Sequence, residues 1–348
     1  MTDIRQRKAD HLAICANEEV GFRGRTTLLE CVQLVHESLP DFAMDEVDLS
    51  GTFLGKPLRA PLLIAAMTGG TQEAAEVNHT LAKIAEKRGY AFGLGSQRAM
   101  QRRPDTAWTY EVRKHAPSAL VLGNVGVIQA RDQTTETLDK LVRDIGADAL
   151  CVHMNPAMEV VQPEGDRDFR GGVETFARLV KELHVPVVAK ETGNGIGFRT
   201  ARRLRDVGVT HVDVSGAGGT SWVGVETLRA TGDARDLGER FWDWGVPTAA
   251  SVVYARRAGH EVIATGGIRT GVDVAHAIAL GAKLAGIARP LLQALREGGE
   301  HAAETYLDRV ERELSTVMLL TGSRTLRDLE KAPKLVRGEL KDWLELAS

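Results

Sequence analysis

Residues 261–290 read EVIATGGIRTGVDVAHAIALGAKLAGIARP, and the order of features in this stretch decides the fold class. Glu261–Thr265 is a short apolar run, suited to a strand buried on both faces. Thr265–Gly271 (TGGIRTG) is a glycine-rich turn into an amphipathic stretch near Val272–Leu280. A second apolar run, Leu284–Ile287, follows at once, with the loop Gly286–Pro290 and a helix starting near Pro290. Working outward, the same unit recurs. Strands are expected at Pro61–Ala66, Tyr90–Leu94, Ala119–Gly123, Ala149–His153, Pro186–Lys190 and His211–Ser215. Helices are expected near Glu73–Arg88, Thr134–Ile145, Gly172–Leu183 and Arg199–Val207. Eight such runs predict an α/β protein of the (β/α)8 TIM-barrel type. An open doubly wound sheet would place its phosphate-binding glycines after the first strand. Here glycine-rich loops follow strands one, six and seven, which favours the barrel.

The chain has 348 residues, enough for two domains, but barrels start near ~250 and grow by insertion. One domain over 1–348 is therefore expected. Residues 1–60 read as an N-terminal extension of helices and a short strand over the bottom or rim. Residues 216–260 read as a long loop insertion after strand six, and the tail from about Tyr306 reads as helical.

Hydrophobic residues make up 43% and charged residues 26%, ordinary for a globular chain, and the net charge is −3. That balance offers no bulk attraction to nucleic acid or an anionic membrane. No apolar run is long enough to span a bilayer, and the charged N-terminus lacks a signal core. A cytoplasmic protein is expected. Cys15, Cys31 and Cys151 form no CxxC pair, so neither a disulfide framework nor a zinc site is expected.

Loops seven and eight are where barrels most often bind phosphate. Glycines there let the backbone approach an anion, helix N-termini offer N–H groups, and Arg269 adds a charged donor. Lys190 closes the apolar run PVVAK, which points its ammonium into the cavity above the barrel core. Ser215–Trp222 (SGAGGTSW) offers close backbone approach and the Thr220 hydroxyl. His153, Asn155 and Glu159 sit together at the end of strand four, with Gln162 close behind. A carboxylate among neutral donors suits Mg2+, which keeps waters and takes phosphate oxygens. Arg7, Lys8 and His11 form a small basic cluster, which alone reads as a solvated helix face. Arg98 follows strand two and so faces the active end.

Together and in order, these motifs resemble the type 2 isopentenyl diphosphate isomerases. The resemblance rests on RKADHL at 7–12, MTGG at 67–70, GLGSQR at 93–98, HMNP with Glu159 and PEGD at 153–166, VAKETGNGIG at 188–197, SGAGGTSW at 215–222 and TGGIRTG at 265–271. It implies an FMN barrel that interconverts isopentenyl and dimethylallyl diphosphate in isoprenoid biosynthesis. Reduced flavin, Mg2+ and NADPH as reductant come with it, as does a homo-oligomer, tetramer or octamer. By the same resemblance Ala65, Ala66, Met67, Thr68, Ser96, Asn124, Lys190, Ser215 and Thr220 contact the flavin. Gly267, Arg269, Ala288 and Arg289 hold its phosphate. Arg7, Lys8, His11, Ser96, Arg98, Asn155 and Gln162 form the substrate pocket. His153, Gln162 and Lys190 are the catalytic candidates, and Glu159 the metal ligand.

One position departs from the family pattern, which is HxNxxQE. Met158 stands where the glutamine is expected, and a thioether is only a weak acceptor. Two alternatives follow. One is an FMN-dependent oxidoreductase on the same scaffold. A 2-hydroxy acid oxidase would need a histidine base that VIATGGIRTG lacks, and an inosine-phosphate dehydrogenase a loop cysteine, whereas Cys151 lies in a strand run. The other is a catalytically weakened homologue that only binds flavin and prenyl diphosphates.

Overall fold

The structure, a computed structural model, describes residues 4–347. Eight strands form one closed barrel: β1 Leu62–Ile64, β2 Ala91–Gly93, β3 Val121–Gly126, β4 Ala149–Met154, β5 Val187–Glu191, β6 His211–Asp213, β7 Glu261–Ala264 and β8 Leu284–Ile287. Each pairs in parallel with the next, and β8 closes on β1. The apolar runs of the sequence are these strands, trimmed at their ends where the chain leaves the ladder. Helices follow where the period changes. Their ends are set locally: Thr71 and Thr134 accept hydrogen bonds from the first turns, and Gly89 and Gly146 terminate in the left-handed conformation.

The barrel is packed, not open. Leu63, Leu122, Cys151, Val188, Ile263 and Leu284 fill its lower interior. The antiparallel hairpin Gly51–Phe53 and Lys56–Leu58 closes the end where the strands begin. Phe53 is its plug, edge-on to His211 of β6 at 5.4 Å between ring centres. Filling that end leaves the C-terminal ends of the strands as the place for a cavity.

Three expectations need correction. The insertion after β6 is shorter than 216–260, because Thr248–Arg257 is the helix joining β6 to β7. Its apolar face packs on the barrel as any β/α crossover does; only the helices Trp222–Arg229 and Asp233–Phe241 are additional. The extension divides between both ends: helix Ile4–Asn17 reaches the active end, while the hairpin plugs the other. The tail is not wholly helical. Within it Lys334–Val336 pairs antiparallel with Val32–Leu34, and ahead of it Arg289–Leu320 breaks at Gly298 and Gly299.

Candidate active site

A cavity of about 510 Å3 opens at the C-terminal ends of the strands. Every site residue expected from the sequence lines it, from Arg7 to Arg289. Parallel strands gather their last residues in one place, so positions far apart in the chain meet there.

At one side lie the loops after β7 and β8. Gly266 and Gly267 have φ of +93° and +82°, conformations that favour glycine. A Cβ on Gly219 would stand 2.3 Å from the Gly267 nitrogen, so this crossing admits only glycine. The helix after β7 is not a free anion site. Thr270 and Asp273 form a capping box, Asp273 also takes the Arg269 N–H, and Glu313 takes that of Gly271. An anion grip here falls to the glycine turn and to Ala288–Arg289, where the last long helix begins. Arg269 donates to the Gly218 carbonyl at 3.1 Å, and Arg289 to the carbonyls of Cys15 and Glu18 at 3.0 and 2.6 Å. Tyr306 and Arg309, not foreseen from the sequence, line the same end.

The floor is built by neighbouring strand ends. A Cβ on Gly95 would lie 2.5 Å from the Thr68 carbonyl oxygen, so the loops after β1 and β2 touch through bare backbone. Tyr110 donates to the Ser96 carbonyl at 2.8 Å and fixes that loop from outside. Register places Gly126 beside His153, His153 beside Lys190, and Lys190 beside Asp213. His153 Nδ1 lies 2.7 Å from Asn124 Oδ1, an atom that only accepts, so Nδ1 carries the proton and Nε2 is bare. Burial, reinforced by Lys8, Lys190 and Arg98, pushes the His153 pKa down to about 3. It is neutral at physiological pH, an acceptor more than a base. Lys190 is paired with Asp213 at 2.6 Å. Its chain neighbour Glu191 accepts four backbone N–H bonds, from Thr192, Gly193, Asn194 and Gly195. Burial nevertheless pushes the Glu191 pKa up to about 7.

The loop after β4 forms another wall. Asn155 leads the short helix Pro156–Val161 and donates to Glu159 at 3.0 Å and toward the Met158 sulfur at 3.7 Å. The Asp166 N–H holds the second Glu159 oxygen at 2.8 Å. Gln162 is buried, and its side-chain amide oxygen Oε1 has no hydrogen-bond partner. A buried orphan acceptor of this kind asks for a ligand. Among the described residues, no three His, Cys, Asp or Glu side chains gather to hold a metal. A metal at Glu159 would need Gln162, water or ligand oxygens to complete its shell, a donor set of the kind that suits Mg2+ rather than zinc.

The N-terminal helix closes the mouth. Arg7, Lys8, His11, Leu12 and Cys15 share its inner face and line the cavity. The basic cluster is thus half-buried over the site, not on a solvated face. Burial, with Arg7 and Arg98 close by, lowers the Lys8 pKa to about 8. His11 lies 2.7 Å from Glu226 and edge-on to Trp222, and Glu226 also holds Arg229 at 2.6 Å. These contacts dock the helix on the insertion. Burial pushes the His11 pKa below the usual histidine range against the pull of Glu226.

Sequence reading missed Asp213, Glu226 and Thr192, and it quoted Trp222 and Thr265 only as parts of motifs. Asp213 left a signal, since a lone carboxylate in the apolar run HVDVS needs a buried partner. Glu226 left no sign of its contact with the N-terminal helix, because His11 is 215 positions away.

The family described as FMN-dependent dehydrogenase matches residues 2–172 and 165–336. The chain is 44% identical over 343 residues to an isopentenyl-diphosphate delta-isomerase of Methanothermobacter thermautotrophicus, covering 98% of this chain and 96% of that one. It is 44% identical over 339 residues to the protein of that name from Nostoc sp., covering 95% of each. Among solved structures, mandelate oxidase with (S)-2-phenylpropionate aligns with a TM-score of 0.65 at 20% identity, over 96% of this chain and 97% of that one. At that identity the likeness speaks for the barrel alone.

Proposed function

The chain belongs to the FMN-dependent dehydrogenase family and, within it, to the isopentenyl-diphosphate delta-isomerases; from that premise we propose that it binds FMN and interconverts isopentenyl and dimethylallyl diphosphate. One observation carries the reading. The cavity has anion-binding groups at two separate places, the glycine turn with Arg269 and Arg289, and the trio Arg7, Lys8 and Arg98. A cofactor phosphate and a substrate diphosphate require two such places.

The residues fit the flavin. The paired left-handed glycines and Ala288 leave backbone free to approach a phosphate. Ala65, Ala66, Met67, Thr68, Ser96, Asn124, Ser215, Thr220 and Lys190 line the cavity and would hold the ring. Reduced flavin, once bound, supplies an electron-rich surface that offsets positive charge developing on an alkene. The chain's own work is to bind, orient and keep water out. Arg7, Lys8 and Arg98 would hold the diphosphate, and Glu159 would hold Mg2+, which would supply further positive charge for it. His11, Asn155 and Ser96 set the position of the substrate. Neutral His153 offers Nε2 as an acceptor, and Gln162 offers its unpaired carbonyl. The reaction moves a proton with no net redox change, so NADPH serves only to reduce the flavin. The family resemblance also supports a cytoplasmic homo-oligomer, tetramer or octamer, with residues 1–348 as one unit. No described helix is long and apolar enough to cross a membrane.

A second reading is a homologue that binds both ligands and turns over poorly. Met158 on the cavity wall is the observation behind it. One experiment separates the two. Purified protein is expected to show flavin absorption, and anaerobic photoreduced protein with Mg2+ to convert isopentenyl into dimethylallyl diphosphate. Binding of both ligands with no product would sink the isomerase reading and leave the second.

A further inference from the structure

Lys190 is 7% exposed, and an ammonium removed from water needs a partner. That partner stands on the next strand. Asp213 Oδ2 lies 2.6 Å from Lys190 Nζ, and the register pairs the two residues directly, so both side chains point inward at one height. The other Asp213 oxygen accepts the hydroxyl of Thr265, the residue that follows β7. Three consecutive strand ends are tied at this point. Lys190 and Thr265 line the cavity, while Asp213, 2% exposed, stands behind them with both oxygens committed.

We propose that Asp213 is a positioning residue for the cofactor, fixing Lys190 at the flavin and offsetting part of its charge, so that the pair sets the flavin's reduction potential. This inference rests on the reading of the cavity as an FMN site. A flavin gains negative charge when reduced, so a fixed cation beside it favours the reduced form and a fixed carboxylate opposes it. In a cavity shielded from water both effects act with little screening. Thr265 keeps the carboxylate from turning toward the cavity. A purely structural pair would neutralise the barrel interior without touching the potential.

The test is the midpoint potential of the FMN-loaded protein, by anaerobic dye equilibration, with FMN affinity measured alongside. Asp213→Asn keeps an oxygen for Lys190 and removes the charge. It is expected to favour reduced over oxidised flavin by about tenfold, a rise of about 30 mV for a two-electron couple. The double variant Lys190→Met/Asp213→Asn removes both charges, so it leaves no unpaired ion even if the single variant fails to fold. Its potential is expected below the wild type by about 30 mV or more, because Lys190 lines the cavity while Asp213 stands behind it and offsets only part of its charge. FMN bound to Asp213→Asn at an unmoved potential would overturn the proposal, as would a double variant at or above the wild type. Wild-type protein that takes up no FMN removes the functional reading itself, and this inference with it.

Discussion

Met158 and Glu159 are neighbours with opposite weight in the proposed reaction. Met158 brings a thioether to a wall where the resemblance leads one to expect an amide, and its sulfur lies 3.7 Å from the Asn155 amide nitrogen. Gln162 already presents an unpaired carbonyl to the cavity, so the wall is not without an amide. Met158→Gln is expected to change single-turnover isomerisation by less than about tenfold. A rise of about 100-fold or more, the scale of a missing proton-transfer group, would mean the natural chain is impaired. Glu159 is different, because its two oxygens are held in place by Asn155 and the Asp166 N–H before any metal arrives. Glu159→Gln is expected to lower Mg2+ affinity by roughly 100-fold, read from Mg2+ titrations of activity. Unchanged Mg2+ dependence would remove its ligand role.

The N-terminal helix is the element that completes the site. Its inner face carries Arg7, Lys8 and His11, and its grip on Trp222–Arg229 runs through the buried Glu226. Despite its own burial, Glu226 is kept below the usual carboxylate range by His11 and then Arg229, and so stays ionised. Charge-assisted bonds to a diphosphate contribute about 1.5–3 kcal/mol each. Arg7→Ala with Lys8→Ala is therefore expected to weaken substrate-analogue binding by roughly 100-fold or more while FMN stays bound, measured by calorimetry on FMN-loaded protein. Loss of flavin instead would place the helix at the wrong end of the cavity. The break at Gly298 and Gly299 has a comparable effect, dividing the last long helical stretch where its second half carries Tyr306 and Arg309 to the phosphate side.

For the molecule as a whole, the buried cavity charges tie stability to pH. His153 is neutral in the fold with a pKa near 3, against about 6.5 in an unfolded chain. Between those values the unfolded state binds the extra proton, so this group makes stability rise with pH. Its contribution is complete above about pH 6.5 and is lost as pH falls toward 3, at a slope of at most about 1.4 kcal/mol per pH unit. Denaturant midpoints of wild type and His153→Asn across pH 4 to 7 check this. The variant is expected to lose that part of the slope, and identical slopes would mean His153 is not buried neutral.

The sequence by itself determined the barrel, its strand order and the glycine turns proposed to hold the phosphate, since these depend on local period and backbone freedom. The apolar runs had to be strands buried on both faces, and Gly266–Gly267 had to turn where side chains cannot. Even the boundary error over Thr248–Arg257 was local, because a crossover helix following two extra helices has the same period as they do. Only the tertiary structure decided that every expected site residue lines one cavity, that Arg7 and Lys8 face inward, and that Lys190 is balanced by Asp213. Those pairings depend on register between strands and on how a distant helix docks. Spacing along one chain does not encode either; packing across the barrel does.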